Sequence, residues 1–326
     1  MGIVSRARVR WLAAAVLVAA AAPVMAQDAY PNRPIRIVVP FPPGGTSDEV
    51  ARLIAAPLAD ALKRPVLVDN RPGANAILGT QAVASSPADG YTLGLFPSGH
   101  AITGSLRKLP YDAEASFAPV VLIGSVPLLA VVSAQSHAAN FGDVLTRARQ
   151  NPGKVSYKSG GVGASDHLAT ELLANTAGVE LLNVPYKGDP PAAVDLVANQ
   201  IDFGLFNVSS VIQLVRGGKL KAVGSTSDQR SALLPDVPTL KEQGVDSYTA
   251  GSWHAIFAPA GTPPEIVRTL NQTINRTIER PEIATRLRDL GITIEGGPPE
   301  RLGSFLQVEV AKWARVIRDA GIKPEN

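Results

Sequence analysis

Short β-branched runs alternate with stretches of helical period along most of this chain, and that alternation limits the fold more than any other feature. Residues 35–39 (IRIVV), 65–69 (PVLVD) and 91–96 (YTLGLF) read as strands. Between them, residues 47–62 place Val50, Leu53, Ile54, Leu58 and Leu62 at helical spacing, and 77–85 reads as a second helix. Strands are expected at 120–123, 128–132, 155–157, 182–184, 201–205 and 220–224. Helices are expected at 141–151, 165–177, 192–199, 211–216 and 239–243. From Pro259 onward only helices are read, at 265–279, 281–290 and 299–321. Strands separated by helices predict an α/β protein with parallel sheets. The middle of the chain carries its own strands and helices, while the helical tail needs an earlier sheet to pack on. The expected architecture therefore has two lobes, residues 27–125 plus 251–326 and residues 126–250, joined by two chain crossings near Val126 and Ala250. Ligands of open α/β sheets bind beyond the carboxyl ends of the strands, so the cleft between the lobes is the expected site.

The amino-terminal 26 residues stand outside this scheme. Arg6, Arg8 and Arg10 precede a short apolar run and the small-residue site Val24-Met25-Ala26. This is the pattern of a secretory signal peptide cut after Ala26, the run being short for a membrane span. Removal of its three arginines leaves 28 basic and 28 acidic side chains, so the formal charge of +3 belongs to the leader. A near-neutral mature chain gives no electrostatic reason to expect nucleic acid as a partner. With no cysteine, disulfides, thiolate nucleophiles, thiolate-bound metals and lipidation at an amino-terminal cysteine are excluded. The periplasm is the expected location, and a monomer the expected state.

Four loops follow predicted strands, and all four are candidates to face the cleft. The first, VPFPPGGTSDEVAR at 39–52, joins a proline-stiffened turn to a helix start. Thr46 or Ser47 suits the N-cap, Gly44 and Gly45 bare backbone N–H groups, and a helix N-terminus attracts anions. A turn with an N-cap accounts for the same residues without any ligand. The GxxxxGK pattern of a P-loop is missing. The second, YKSGGVGASDH at 157–167, repeats strand, glycine turn and helix, but has Asp166 where a dinucleotide fingerprint needs a third glycine. The third, NVPYKGDPP at 183–191, echoes the first; the fourth is FPSGH at 96–100, with Ser98 and His100. The four histidines, His100, His137, His167 and His254, show no ligand spacing, so no metal and no cofactor is expected. Ser165 lies outside a GxSxG elbow, although serine and histidine in the cleft leave a hydrolase as an alternative.

At the level of whole motifs the chain resembles the Bug family, the substrate-binding proteins of tripartite tricarboxylate transporters. The resemblance rests on YPNRPIR (30–36) leading into VVPFPPGG, DNRPGA (69–74), PADGYTL (87–93), LPYD (109–112), HLA (167–169), VPYKG (184–188), LPDVPT (234–239) and APAGTP (258–263). Lys312-Trp313 and Ala320-Gly321-Ile322 complete the set. It implies a two-lobed periplasmic solute-binding fold of type II-like form, without enzymatic activity, that closes on a small carboxylated solute and delivers it to integral membrane transporter subunits. A binding protein that feeds a regulator instead is the other reading of the same resemblance. The implied ligand-binding residues are Phe41, Pro42, Gly44, Gly45, Thr46, Ser47 and Asp48 in the first loop. In the second lobe they are Ser159, Gly160, Gly163, Ala164, Ser165 and His167, then Tyr186, Lys187 and Gly188. Asp48 is expected to cap its own helix or hold water, since like charges repel. The chain departs from the family pattern at Gly44-Gly45-Thr46-Ser47, at Gly163-Ala164 and at Asn75-Ala76-Ile77.

Overall fold

The computed structural model describes residues 30–161, 164–227, 229–231, 233–246, 248 and 250–322. The predicted signal peptide and Gly163 lie outside the described residues. Residues 1–32 form one unit, of which only 30–32 are described; residues 33–326 form the other.

Three parallel strands open the second unit: β1 (Ile35–Val39), β2 (Val66–Asn70) and β3 (Thr92–Pro97), with β1 between the other two. They alternate with helices α1 (Thr46–Leu62), α2 (Ile77–Ala84) and α3 (Gly99–Leu106). The 17-residue β4 (Phe117–Ser133) follows, then α4 (Phe141–Gln150), β5 (Ser156–Ser159), α5 (Ser165–Ala177), β6 (Leu182–Pro185) and α6 (Asp189–Val197). Next come β7 (Gly204–Asn207), α7 (Val208–Arg216), β8 (Leu220–Ser225), a 3-10 turn (Lys241–Gln243) and β9 (Gly251–Pro259). The chain ends in α8 (Pro264–Ile278), α9 (Pro281–Asp289), the two-residue β10 (Thr293–Ile294) and α10 (Pro299–Asp319).

β4 is the strand that both sheet regions share. Its first half pairs antiparallel with β9 and β10, in the order β10-β4-β9-β3-β1-β2. Its second half pairs antiparallel with β7 on one side and β8 on the other. β5 and β6 pair in parallel, and a single parallel bridge from Tyr157 to Phe203 sets β5 beside the β7 segment. The second half of β4 is buried on both faces: Leu128, Ala130 and Val132 enter one apolar cluster, Leu129 and Val131 another. This is the period-two alternation of a strand with covered faces. The first cluster runs without interruption from Val38 through Phe203 to Trp313.

Three expectations change. The separate strands at 120–123 and 128–132 are one strand. Gly124 and Pro127 look like breakers locally, but β9 continues to pair past a register shift between Leu122 and Gly124, Gly124 with His254 and Pro127 with Gly251. A Cβ on Gly251 would lie 2.6 Å from the Val126 carbonyl oxygen, so the close approach at this point needs glycine. The sheets are mixed, because β4, β7, β8 and β9 are antiparallel neighbours. The predicted helix at 239–243 shrinks to the 3-10 turn because Thr239 bridges to Ser225 instead. The sequence reading also passed over α3, β9 and β10; α3 contains two glycines in eight residues, and glycine disfavours helix. The last helix, α10, packs on α3 and β4 and also reaches α5. Buried Glu309 on α10 accepts hydrogen bonds from Trp253 Nε1 on β9 at 3.1 Å and from Trp313 Nε1 at 3.0 Å.

Candidate functional site: a cleft between two sets of strand ends

β1 and β3 run parallel, so their carboxyl ends open on the same side, and antiparallel β9 begins there. The loop after β1 is built around Asp48. This buried carboxylate accepts hydrogen bonds from Gly44 N–H (2.9 Å), Arg52 Nε (2.9 Å) and Asn70 Nδ2 (3.0 Å). Asn70 also donates to Phe41 O at 3.1 Å, which ties the start of the loop to β2. The hydrogen bond from Arg52 chiefly, helped by Gly44 and Asn70 against burial, holds the Asp48 carboxyl down at about 2. Asp48 thus closes the loop onto its own helix. The N-cap position falls on Gly45, without a side-chain cap, rather than on Thr46 or Ser47. Buried Ser47 instead meets His254 of β9, Oγ to Nε2 3.2 Å. Ser98 donates to Ser252 of β9 at 3.1 Å.

The second set of ends comes from β5, β6 and β7, whose loops enter α5, α6 and α7. Where this second set meets the crossings lies a cavity of about 390 Å³, within the size range of small-ligand sites. Gly160, Ser165 and Asp166 line it from the second loop; Gly188, Asp189 and Pro190 from the third. Asn207 and Ser210 line it from the start of α7, and Leu128, Gly251 and Ser252 from the two crossings. Lys158 lies at its floor, 3% exposed. Its ammonium donates to Asp166 Oδ2 (2.8 Å) and Asp189 Oδ1 (2.6 Å) and sits 4.6 Å from the centre of the Phe206 ring.

Of the residues singled out from sequence, Gly160, Ser165 and Gly188 line this cavity. Ser98 stands one hydrogen bond behind it, through Ser252. Phe41, Pro42, Gly44, Gly45, Thr46, Ser47 and Asp48 form the neighbouring loop, whose contacts run to β2 and β9, and do not line the cavity itself. Ser159 is fully buried, donating to Asn183 at 2.7 Å and accepting from Gly161 N–H, so it shapes the second loop from behind. Ala164 is the N-cap of α5. His167 is buried against Tyr157, and burial pushes its pKa down. Tyr186 turns its hydroxyl to Asp195 at 2.8 Å; burial, then that carboxylate, raises it to about 12. Lys187 is exposed and outside the lining. His100 lies in a nest of Phe96, Phe117, Phe257 and Tyr111, and its Nε2 donates to Ala113 O at 2.8 Å. Burial drops it to about 4.

Sequence reasoning passed over Lys158, Asp189 and Asn207 as site residues. Their only signal was adjacency to glycine loops at strand ends, and a lysine is far more often solvated than buried. Among the described residues no group of three or more His, Asp or Glu side chains is arranged to hold a metal ion. The Ser47–His254 pair is buried, and among the described residues His254 Nδ1 has no hydrogen-bond partner. It therefore lacks the third group that orients a catalytic histidine.

Comparison with known proteins agrees with this geometry. A UPF0065 protein from the tcbD-tcbE intergenic region of Pseudomonas sp. strain P51 is 41% identical over 292 residues, 89% of this chain and 87% of the relative. The structure of the periplasmic binding protein BugD superposes with a TM-score of 0.71 at 34% identity, covering 91% of this chain and all of BugD. Rpa4515 of R. palustris, solved with adipate, superposes with a TM-score of 0.74 at 35% identity, covering 91% of this chain and all of that one. The fold is thus the two-lobed one of periplasmic binding proteins. The profile of the tripartite tricarboxylate transporter family receptor, TctC, matches residues 50–322, and the chain belongs to that family.

Proposed function

We propose that this chain is a periplasmic binding protein that captures a small carboxylated solute in the cleft and hands it to the membrane subunits of a tripartite tricarboxylate-type transporter. The observation that carries this reading is a cavity of about 390 Å³ where the loops after β5, β6 and β7 meet the two chain crossings. Its rim offers hydroxyls and glycine backbone in place of an arginine clamp. The lobes are residues 27–125 plus 251–326 and residues 126–250. They close about the paired crossing where Pro127 meets Gly251. Differential affinity for the closed form drives that motion. The loop at 41–48 covers the solute from the first lobe, and the loops at 159–165 and 186–188 grip it from the second. Asp48, already tied to Gly44, Arg52 and Asn70, keeps the first loop in shape, and a preshaped loop lowers the entropy cost of binding. Binding proceeds without turnover in a monomer exported by cleavage after Ala26.

The test is a thermal-shift screen of the mature chain against dicarboxylates, tricarboxylates, amino acids and aromatic acids. A ligand that binds only the folded state raises the melting temperature by mass action. A concentration-dependent rise with a carboxylate is expected. No rise with any carboxylate, in protein shown by native mass spectrometry to be empty, refutes the reading.

A further inference from the structure

On the second-lobe wall of the cleft, Lys158, Asp166 and Asp189 form one hydrogen-bonded cluster. Lys158 directs two N–H groups to Asp166 and Asp189 and sets its ammonium against the Phe206 ring. Asp189 Oδ2 also accepts from the backbone N–H and the side-chain amide of Asn207, both at 3.3 Å. Asp166 Oδ1 accepts from Gly160 N–H at 3.1 Å and His167 N–H at 3.0 Å. Among the described residues each carboxylate therefore receives three hydrogen bonds, and a carboxylate has about four acceptor positions. What this cluster still offers a solute is acceptor capacity. The start of α6 reinforces the point. Pro190 and Pro191 occupy its first turn after Asp189, and proline has no N–H. The two prolines remove donors that a helix N-terminus would otherwise turn toward an anion. The cluster of one lysine and two aspartates carries a net charge of −1, within a concave site where water screens poorly.

We infer that Lys158, Asp166 and Asp189 set the specificity of the cleft for an aminocarboxylate, one carboxylate with an ammonium at the far end, over a dicarboxylate of the same length. The inference rests on the carboxylate-binding reading above and names the solute class within it. The ammonium lies against the Asp166–Asp189 edge and fills the vacant acceptor positions. A second carboxylate there meets two like charges, and the Lys158 ammonium that would offset them is already shared between the two aspartates. Lys158 holds the aspartates apart and in place without itself being free to receive the solute.

Calorimetry of the mature protein with two matched series decides it. The dicarboxylates run from malonate to adipate, and their partners from β-alanine to 6-aminohexanoate, with hexanoate as the uncharged-end control. The best aminocarboxylate is expected to bind about tenfold or more tighter than its dicarboxylate partner, with hexanoate weaker than 6-aminohexanoate. Asp189→Asn removes the net charge and narrows that ratio. Equal or tighter binding of the dicarboxylates in the wild-type protein overturns the inference and leaves carboxylate capture standing. A preference that Asp189→Asn leaves unchanged, in a variant with a cooperative melt, also overturns it. Silence from both series and from the wider acid panel overturns the carboxylate reading and this inference together. The wild-type ratio decides the matter even where the variant fails to fold.

Discussion

Lowering the pH from 7 to 5 removes a calculable share of this protein's stability. His100 and His254 are buried, and each is pushed from 6.5 to about 4 chiefly by loss of solvation. Below pH 6.5 the unfolded chain binds protons that the folded chain refuses until pH approaches 4, so stability falls as pH falls through that window. Integrating a shift of this size between pH 7 and pH 5 gives about 2 kcal/mol per histidine, about 4 kcal/mol together. That is a large fraction of the roughly 5–15 kcal/mol by which domains are stable. His167, also lowered by burial, acts in the same direction. Stopping at pH 5 keeps most carboxylates ionised, so the effect belongs to histidine. Urea denaturation of solute-free protein, followed by circular dichroism at both pH values, measures it. His100→Phe preserves the ring packing against Phe96, Phe117 and Phe257 and removes one titration, so its loss should drop by about 2 kcal/mol. A wild-type loss below about 1 kcal/mol, or an equal loss in His100→Phe, refutes the reasoning.

Asp48→Asn replaces an acceptor of three hydrogen bonds with a group that is half donor. It should destabilise the protein by roughly 1–3 kcal/mol, and an unchanged urea midpoint would show that the loop does not depend on the carboxylate. Ser165→Ala removes a hydroxyl from the cavity wall. It should weaken solute binding by about 1 kcal/mol, a several-fold rise in Kd, while the solute-free melting temperature stays put. Wild-type affinity by calorimetry would remove Ser165 from the solute contacts.

Much of the fold is legible because local patterns and tertiary packing agree. Helix α1 and strand β1 follow from periodicity, and α5 begins and ends where the sequence puts it, with Gly178 in the left-handed C-cap position. The failures occur where pairing overrides local signals. Gly124 and Pro127 read as a break, yet β9 carries β4 through them. His100 and His167 read as polar groups at the cleft, yet both are packed against aromatic rings. One-dimensional patterns report which residues leave a strand end, not which way each side chain turns.

The sequence by itself determined the α/β alternation, the ordered family motifs and the strand-end loops where a site must lie, because those depend on spacing, on glycine and proline stereochemistry and on side-chain type. Only the tertiary structure decided that β4 threads both sheet regions and that Asp48 is held by Arg52, Gly44 and Asn70. It also decided that Lys158 is buried between two aspartates separated from it by eight and thirty-one residues. The physical reason is burial: a lysine loses its water only where distant segments meet around it, and the partners that then satisfy its charge come from other loops.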